Sequence, residues 1–296
     1  MAVKLYNVPG PRLMPGDGER TQDFLMINQP VFAFANVEDY EVLSKILVDT
    51  MAATKREDPR PFFARMASPD PAVSARAKRT AQIVQRVKAT TSPPSFQPPP
   101  MSPFDNRYFS AAAFLFGEGR AMKFAATPVN PMTGDVGSST QDPDYLRAAL
   151  RKRMAEAGGK PICFDFQVQV RGPDTLAGKI ETDIEDVCTL WDEAQYPFVT
   201  VARITIPPQD VTSQARQDFC ESLVYTPWHG LADHRPLGGI NRLRQKVYTA
   251  SSERRGCPAS PDLPPESVRA LFDDGERAAR VRGDDMNSLG GRRDRD

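Results

Sequence analysis

The chain has 296 residues, 40% hydrophobic and 26% charged, enough for one large domain or two small ones with a real core. Its 38 basic residues are matched by 38 acidic ones, and a formal net charge of zero excludes the broad positive footprint of a nucleic-acid or anionic-membrane binder. No run of about 18 apolar residues exists to span a membrane, and no charged-then-apolar leader opens the chain, so a cytoplasmic protein is expected.

Residues 2–6, 23–28 and 30–35 read as short strands, with turn chemistry at Pro9-Gly10-Pro11 and Pro15-Gly16-Asp17-Gly18. Asn36 can cap a helix over Val37–Ala53, whose apolar face is Tyr40, Leu43, Ile46, Leu47 and Met51. Residues 54–71 form a charged, proline-bearing connection, and Pro71–Ala89 a second helix. Its basic outer face carries no interleaved aromatics for stacking on bases, so it reads as a solvated face. Residues 90–103, with Pro-Pro-Ser-Phe-Gln-Pro-Pro-Pro at 93–100, read as an extended connector.

Strands follow at Tyr108–Phe116 and Ala121–Ala126, joined by Gly117-Glu118-Gly119. This Gly-x-Gly links two strands and lacks the third glycine and following helix of a dinucleotide site. Pro143–Gly158 is an amphipathic helix begun by Asp142-Pro143. Cys163–Arg171 alternates Phe164, Phe166, Val168 and Val170 on one side, which predicts a strand with one wet face. Phe198–Ile206 is another strand, closed by Pro207-Pro208.

Strands interrupted by helices without regular alternation predict an α+β fold. Cys163, Cys188, Cys220 and Cys257 are widely spaced, with no C-x-x-C pair, and are expected to be reduced. Cys163 and Cys188, set among apolar residues, read as small core side chains. Residues 256–296 are rich in Pro, then in Arg, Asp and Gly, with one helical candidate at 265–282. They read as a mostly disordered tail on a domain of residues 1–255.

Between Gly238-Gly239 and Arg255 the chain runs without Pro or Gly, which predicts a helix with a glycine-marked start. Residues four and seven apart share one helix face, so Arg244, Tyr248 and Arg255 make a stripe of cation, phenol and cation. A guanidinium beside a phenol favours the phenolate, an anionic oxygen that ferric haem iron accepts as a ligand. Arg255, a further turn along, has the fork geometry to meet a haem propionate. Arg and Tyr four apart also make an ordinary surface stacking pair, and the spacing by itself leaves both readings open.

This segment resembles the proximal haem helix of the haem catalases, and more closely that of the short bacterial catalase-like peroxidases. There, Arg-x-x-x-Tyr supplies the iron ligand and an Arg seven residues later meets a propionate. Ala2-Val3-Lys4-Leu5-Tyr6 is similar to the catalase strand Gly-Phe-Ala-Val-Lys-Phe-Tyr, and Asp23–Phe32 to the Asp-Leu-Val-Gly-Asn-Asn-Thr-Pro-Ile-Phe that follows it. Trp191–Pro197 resembles the Trp-Pro-x-x-x-Tyr-Pro passage.

Carried over residue by residue, Phe32 falls on a distal-pocket aromatic and Tyr40 on a Phe that stacks on the haem. Ile27 falls on the distal Asn, with Asn28 beside it as a register-shifted candidate. The resemblance implies an antiparallel β-barrel with helices outside, haem as cofactor with Tyr248 as iron ligand, and a homo-oligomer. It implies an oxidoreductase acting on hydrogen peroxide or organic hydroperoxides.

In the family the distal His lies upstream of the strand at which this chain opens. The only histidines here are His229 and His234. The expectation is a catalase-like domain lacking its first segment, weak or inactive as a catalyst. The alternatives are a non-catalytic haem binder or degenerate catalase-like fragment, and an α+β protein without cofactor.

Overall fold

The computed structural model describes residues 1–14, 21–42 except 33, 44–45, 68–85 except 76, 79, 80, 83 and 84, 102–131, 142–156 except 143, 160–172 and 180–257. Seven strands appear in it: β1 Ala2–Leu5, β2 Gln22–Leu25, β3 Tyr108–Phe109, β4 Phe114–Leu115, β5 Ala121–Pro128, β6 Ile162–Arg171 and β7 Phe198–Ile206. Among the helices are α1 Tyr145–Glu156, α2 Ile180–Glu185, α3 Gln214–Ser222 and α4 Gly238–Arg254. The architecture is mixed helix and sheet, as expected.

β1 and β2 pair antiparallel, with Ala2 opposite Leu25 and Leu5 opposite Gln22. The larger sheet runs β3-β5-β6-β7, with β4 also on β5, and every pairing in it is antiparallel. A bridge between Ile27 and Phe109 joins the ribbon to this sheet, and bridges from Phe114 to Pro236 and Arg12 to Leu231 tie in the segment before α4.

Side-chain alternation divides the β5/β6 pair into two faces. Met122, Phe124 and Ala126 lie opposite Val170, Val168 and Phe166. With Phe24, Met26, Phe104, Phe114, Met154, Ile162 and Phe164 they make the main core. Its rings meet edge to face or tilted, Phe24 on Phe124 at 5.1 Å and Phe114 on Phe124 at 5.0 Å between centroids. Such offsets suit the ring quadrupoles.

The second face of β6 is open along Cys163, Asp165 and Gln167 as the alternation predicts, but its Arg171 end is covered. Gln169 and Arg171 are buried there, opposite Lys123 and Ala121, because the passage through Trp191 and Tyr196 folds over them. Gln169 Nε2 donates to the carbonyls of Trp191 and Tyr196 at 3.1 and 2.8 Å. Lys123 Nζ donates to the Thr189 carbonyl at 2.9 Å and lies over the Trp191 ring, and Arg171 donates to Asp183 at 2.7 Å. Burial pushes the Lys123 ammonium down to about 8.

Three further expectations are corrected. Residues 30–35 are bends, not a strand, in the residues described. Tyr108–Phe116 is two short strands, because a turn at Ser110–Ala112 breaks the run. Ala112 N–H donates to the Ser110 carbonyl at 2.7 Å and Ala111 sits at φ +57°, outside any strand conformation. Cys163 and Cys188 are half-buried, not core: Cys163 is on the solvent side of β6, and the Cys188 thiol donates to the Phe32 carbonyl at 3.2 Å. All four cysteines are free thiols.

Helical backbone begins at residue 37 as expected, with the Asn36 side-chain oxygen accepting from Asp39 N–H at 2.9 Å. The turn at 15–18, most of the 54–71 connection, the 90–101 connector and the tail beyond Cys257 lie outside the described residues. Among the described residues no helix is long and apolar enough to cross a membrane.

Candidate functional site

α4 is set by its two ends. At its start Gly238 has φ +82°, and a Cβ there would stand 2.5 Å from the Ile184 carbonyl oxygen, so glycine is required by conformation and by space. Gly239 N–H donates to the Glu185 carboxylate at 2.8 Å, placing an anion on the orphan donors and positive dipole end of the helix. At its end Gly256, at φ +67°, returns its N–H to the Glu253 carbonyl at 3.0 Å, a left-handed glycine stop.

Between these ends Ile240, Leu243, Arg244, Val247, Tyr248 and Ser251 fall at helical three- and four-residue steps. They line one wall of a cleft of about 570 Å³. Facing them are Met1 and Ala2 with Leu25, Met26 and Ile27 of the N-terminal ribbon, then Phe32 and Tyr40, and the Ser110–Ala111 turn. A mainly apolar cleft with a few convergent polar groups, within the roughly 300–1,000 Å³ of small-molecule sites, is suited to a largely apolar ligand.

The structure therefore brings together four of the residues singled out in the sequence: Phe32, Tyr40, Arg244 and Tyr248. Arg244 Nη2 donates to the Tyr248 hydroxyl at 3.4 Å, and the guanidinium lies 5.3 Å from the ring centroid. Arg255 is not with them. It caps the end of α4, and its Nη1 donates to the Glu221 carbonyl at 3.0 Å at the end of α3. Ile27, not Asn28, is the member of that pair that lines the cleft.

The two histidines lie elsewhere. His229 is buried beside Asp23, its Nδ1 3.1 Å from Oδ2. The same carboxylate accepts from Lys4 Nζ at 2.6 Å and from Thr226 N–H at 3.0 Å. This fully buried carboxylate thus has a cation and hydrogen-bond donors around it, as a buried charge requires. Tyr225, under Lys4, is pushed up to about 12 by burial and by the nearby Asp23 charge. His234 stacks on Phe116 and is pushed down by burial.

Sequence reasoning missed Ser110 and Ala111 at the cleft, Asn241 bonded to Arg244, and the Asp23–His229 pair away from the cleft. Ser110 and Ala111 reach the cleft through a turn that no propensity announced. Asn241, three residues before Arg244 on the same helix, donates from Nδ2 to the Ala113 and Leu237 carbonyls, both at 2.9 Å, and accepts from Arg244 Nη1 at 3.0 Å. Its spacing from Arg244 was a usable signal. The Asp23–His229 pairing, across 206 positions, had none.

No family model matches this sequence, and no curated protein matches it in sequence. Solved structures do match in three dimensions. A fungal catalase superposes with a TM-score of 0.62 at 15% identity, over 88% of this chain and 51% of its own. Catalase A from Saccharomyces cerevisiae gives 0.61 at 14% identity, over 89% and 52%. A bacterial catalase gives 0.50 at 14% identity, over 89% and 47%. The chain spans about half the length of these catalases, and over most of its own length it has the catalase fold.

Proposed function

We propose that this chain is a haem-binding, catalase-like oxidoreductase domain of the short bacterial type. In this reading Tyr248 is the ligand of the iron, and hydrogen peroxide or an organic hydroperoxide is the substrate. The observation that carries the reading is the Arg244–Tyr248 pair on the cleft-facing stripe of α4, opposite Phe32 and Tyr40. The donor set fits the group. A phenol backed by a guanidinium is suited to ferric iron, and the apolar walls suit the macrocycle. In the same reading the ribbon and the larger sheet are parts of one antiparallel barrel, and copies of the domain assemble into a homo-oligomer.

Haem iron, when bound, supplies the redox chemistry on the O–O bond. The protein's part is to hold the phenolate oxygen of Tyr248 through Arg244, to exclude water with Phe32, Leu243 and Val247, and to seat the macrocycle against Tyr40. Arg255 would serve a propionate only by exchanging its bond to the Glu221 carbonyl.

A second reading has its own support: neither histidine of the sequence lines the cleft, and among its described lining residues there is no carboxylate. Proton transfer by a positioned base is worth roughly 10²–10⁴-fold in rate. In this second reading the domain binds haem and turns over peroxide slowly.

Tyr248→Phe keeps the ring and removes the ligand oxygen. The haem-loaded variant should lose the high-spin ferric spectrum of the parent protein or show that of another ligand. A spectrum identical to the parent's rules Tyr248 out as the ligand. Peroxide consumption by the parent at the rate of an authentic catalase would instead overturn the slow-turnover reading.

A further inference from the structure

We propose that Asn241 is a positioning residue for the haem ligand, holding the Arg244 guanidinium against the Tyr248 hydroxyl through its buried amide. The proposal rests on the reading of Tyr248 as the iron ligand and adds a residue to it.

Asn241 is 0% exposed, so its amide cannot turn to water for partners. Both Nδ2 protons are used, on the carbonyls of Ala113 and Leu237. Those two acceptors fix the amide one way round. Reversed, Oδ1 would face two carbonyl oxygens and the NH₂ would face the guanidinium donors. Oδ1 is therefore held toward Arg244, accepting from Nη1 at 3.0 Å, while Nη2 of the same planar fork reaches the Tyr248 hydroxyl. Of the two hydrogen bonds Arg244 makes among the described residues, the one to Asn241 is the shorter and the one from the rigid, buried side. The backbone carbonyl of Asn241 is itself pinned, accepting from Trp228 Nε1 at 2.9 Å.

The chemistry of the amide matters as much as its place. No carboxylate pairs with Arg244 among the described residues, in contrast to Arg242, which reaches Glu185 one face away. An aspartate at 241 would turn a carboxylate oxygen onto the Ala113 and Leu237 carbonyls, so only the amide satisfies all three partners. A neutral acceptor orients the cation without neutralising it.

The test loads wild type, Asn241→Ala, Arg244→Leu and the Asn241→Ala/Arg244→Leu double variant with haem and compares their ferric spectra. Asn241→Ala should shift the ferric bands in the same direction as Arg244→Leu, because it releases the same guanidinium from the Tyr248 hydroxyl. The double variant should match Arg244→Leu alone, because both changes act through one group.

A purely structural role predicts otherwise: no shift in a folded Asn241→Ala, or additive effects in the double variant, and either result overturns the proposal. Haem-free crystals of wild type and Asn241→Ala give a second readout for variants that load poorly. The guanidinium should stay on Tyr248 in the first and leave it in the second, and an unmoved guanidinium also overturns the proposal. Failure of the ligand reading itself is seen separately, as an unchanged spectrum in Tyr248→Phe.

Discussion

Gly238→Ala is expected to be among the most damaging single-methyl additions in the chain. At φ +82° an L-residue costs about 1–2 kcal/mol relative to glycine. The new Cβ would stand 2.5 Å from the Ile184 carbonyl oxygen, a backbone atom that cannot rotate away, so α4 and α2 must separate. Forced overpacking of this kind adds about 1–3 kcal/mol. The sum, about 2–5 kcal/mol, corresponds to a fall in Tm of roughly 10 °C for a domain of this size. Gly256→Ala is the control: it has the same sign of φ, at +67°, with no atom within 4 Å of the added Cβ, so it should lose only about 1 kcal/mol. Thermal unfolding of the two variants beside the parent measures the difference. Equal losses would refute the claim that contact with Ile184 sets the start of α4. The site is exposed to the same change, since a displaced α4 carries Arg244 and Tyr248 with it.

The buried Lys123 should make stability rise with alkalinity. Its folded pKa of about 8 lies below the free value, so above pH 8 the folded state sheds the proton first and the unfolded state binds more. Stability at pH 7 is lower by ~3 kcal/mol on this account and recovers from pH 8 toward 10, and Lys123→Met should flatten that slope in denaturant titrations. Above pH 10 the sign reverses through Tyr225, whose pKa of about 12 leaves the unfolded state to ionise first. A parent protein whose stability falls monotonically from pH 8 would contradict the Lys123 assignment. Ala111→Gly should stabilise the chain by about 1 kcal/mol, because φ +57° is strained for alanine and open to glycine; a loss in Tm would show that the Ala111 methyl contributes more by packing in the cleft wall.

What the sequence determined by itself was local and periodic. The glycines at 238 and 239, the unbroken run to Arg255 and the four-residue spacing of Arg244 and Tyr248 foretold α4 and its chemical stripe. The alternation at Cys163–Arg171 and the apolar run at Phe198–Ile206 foretold β6 and β7. These patterns are legible because a helix or strand repeats over a few residues, so its face is written in consecutive positions. The resemblance of the two ends to catalases singled out Phe32 and Tyr40 with Tyr248, and all three line one cleft.

Tertiary structure decided the rest. How much of the outer face of β6 was wet depended on where Trp191 and Tyr196 folded, some twenty residues on, and they covered its Gln169–Arg171 end. Tyr108–Phe116 has the composition of one strand, yet the turn at Ala111 breaks it, and local propensity yields to such contacts. Arg255 shares a helix with Tyr248 but ends beside α3, because at the last turn the guanidinium meets the free carbonyls of a neighbouring helix first. The buried Asp23 gathers Lys4, Thr226 and His229 from both ends of the chain. No window of sequence contains such a site: a buried charge is satisfied by whichever groups the fold brings within 3 Å, and that distance exists only once the chain has closed on itself.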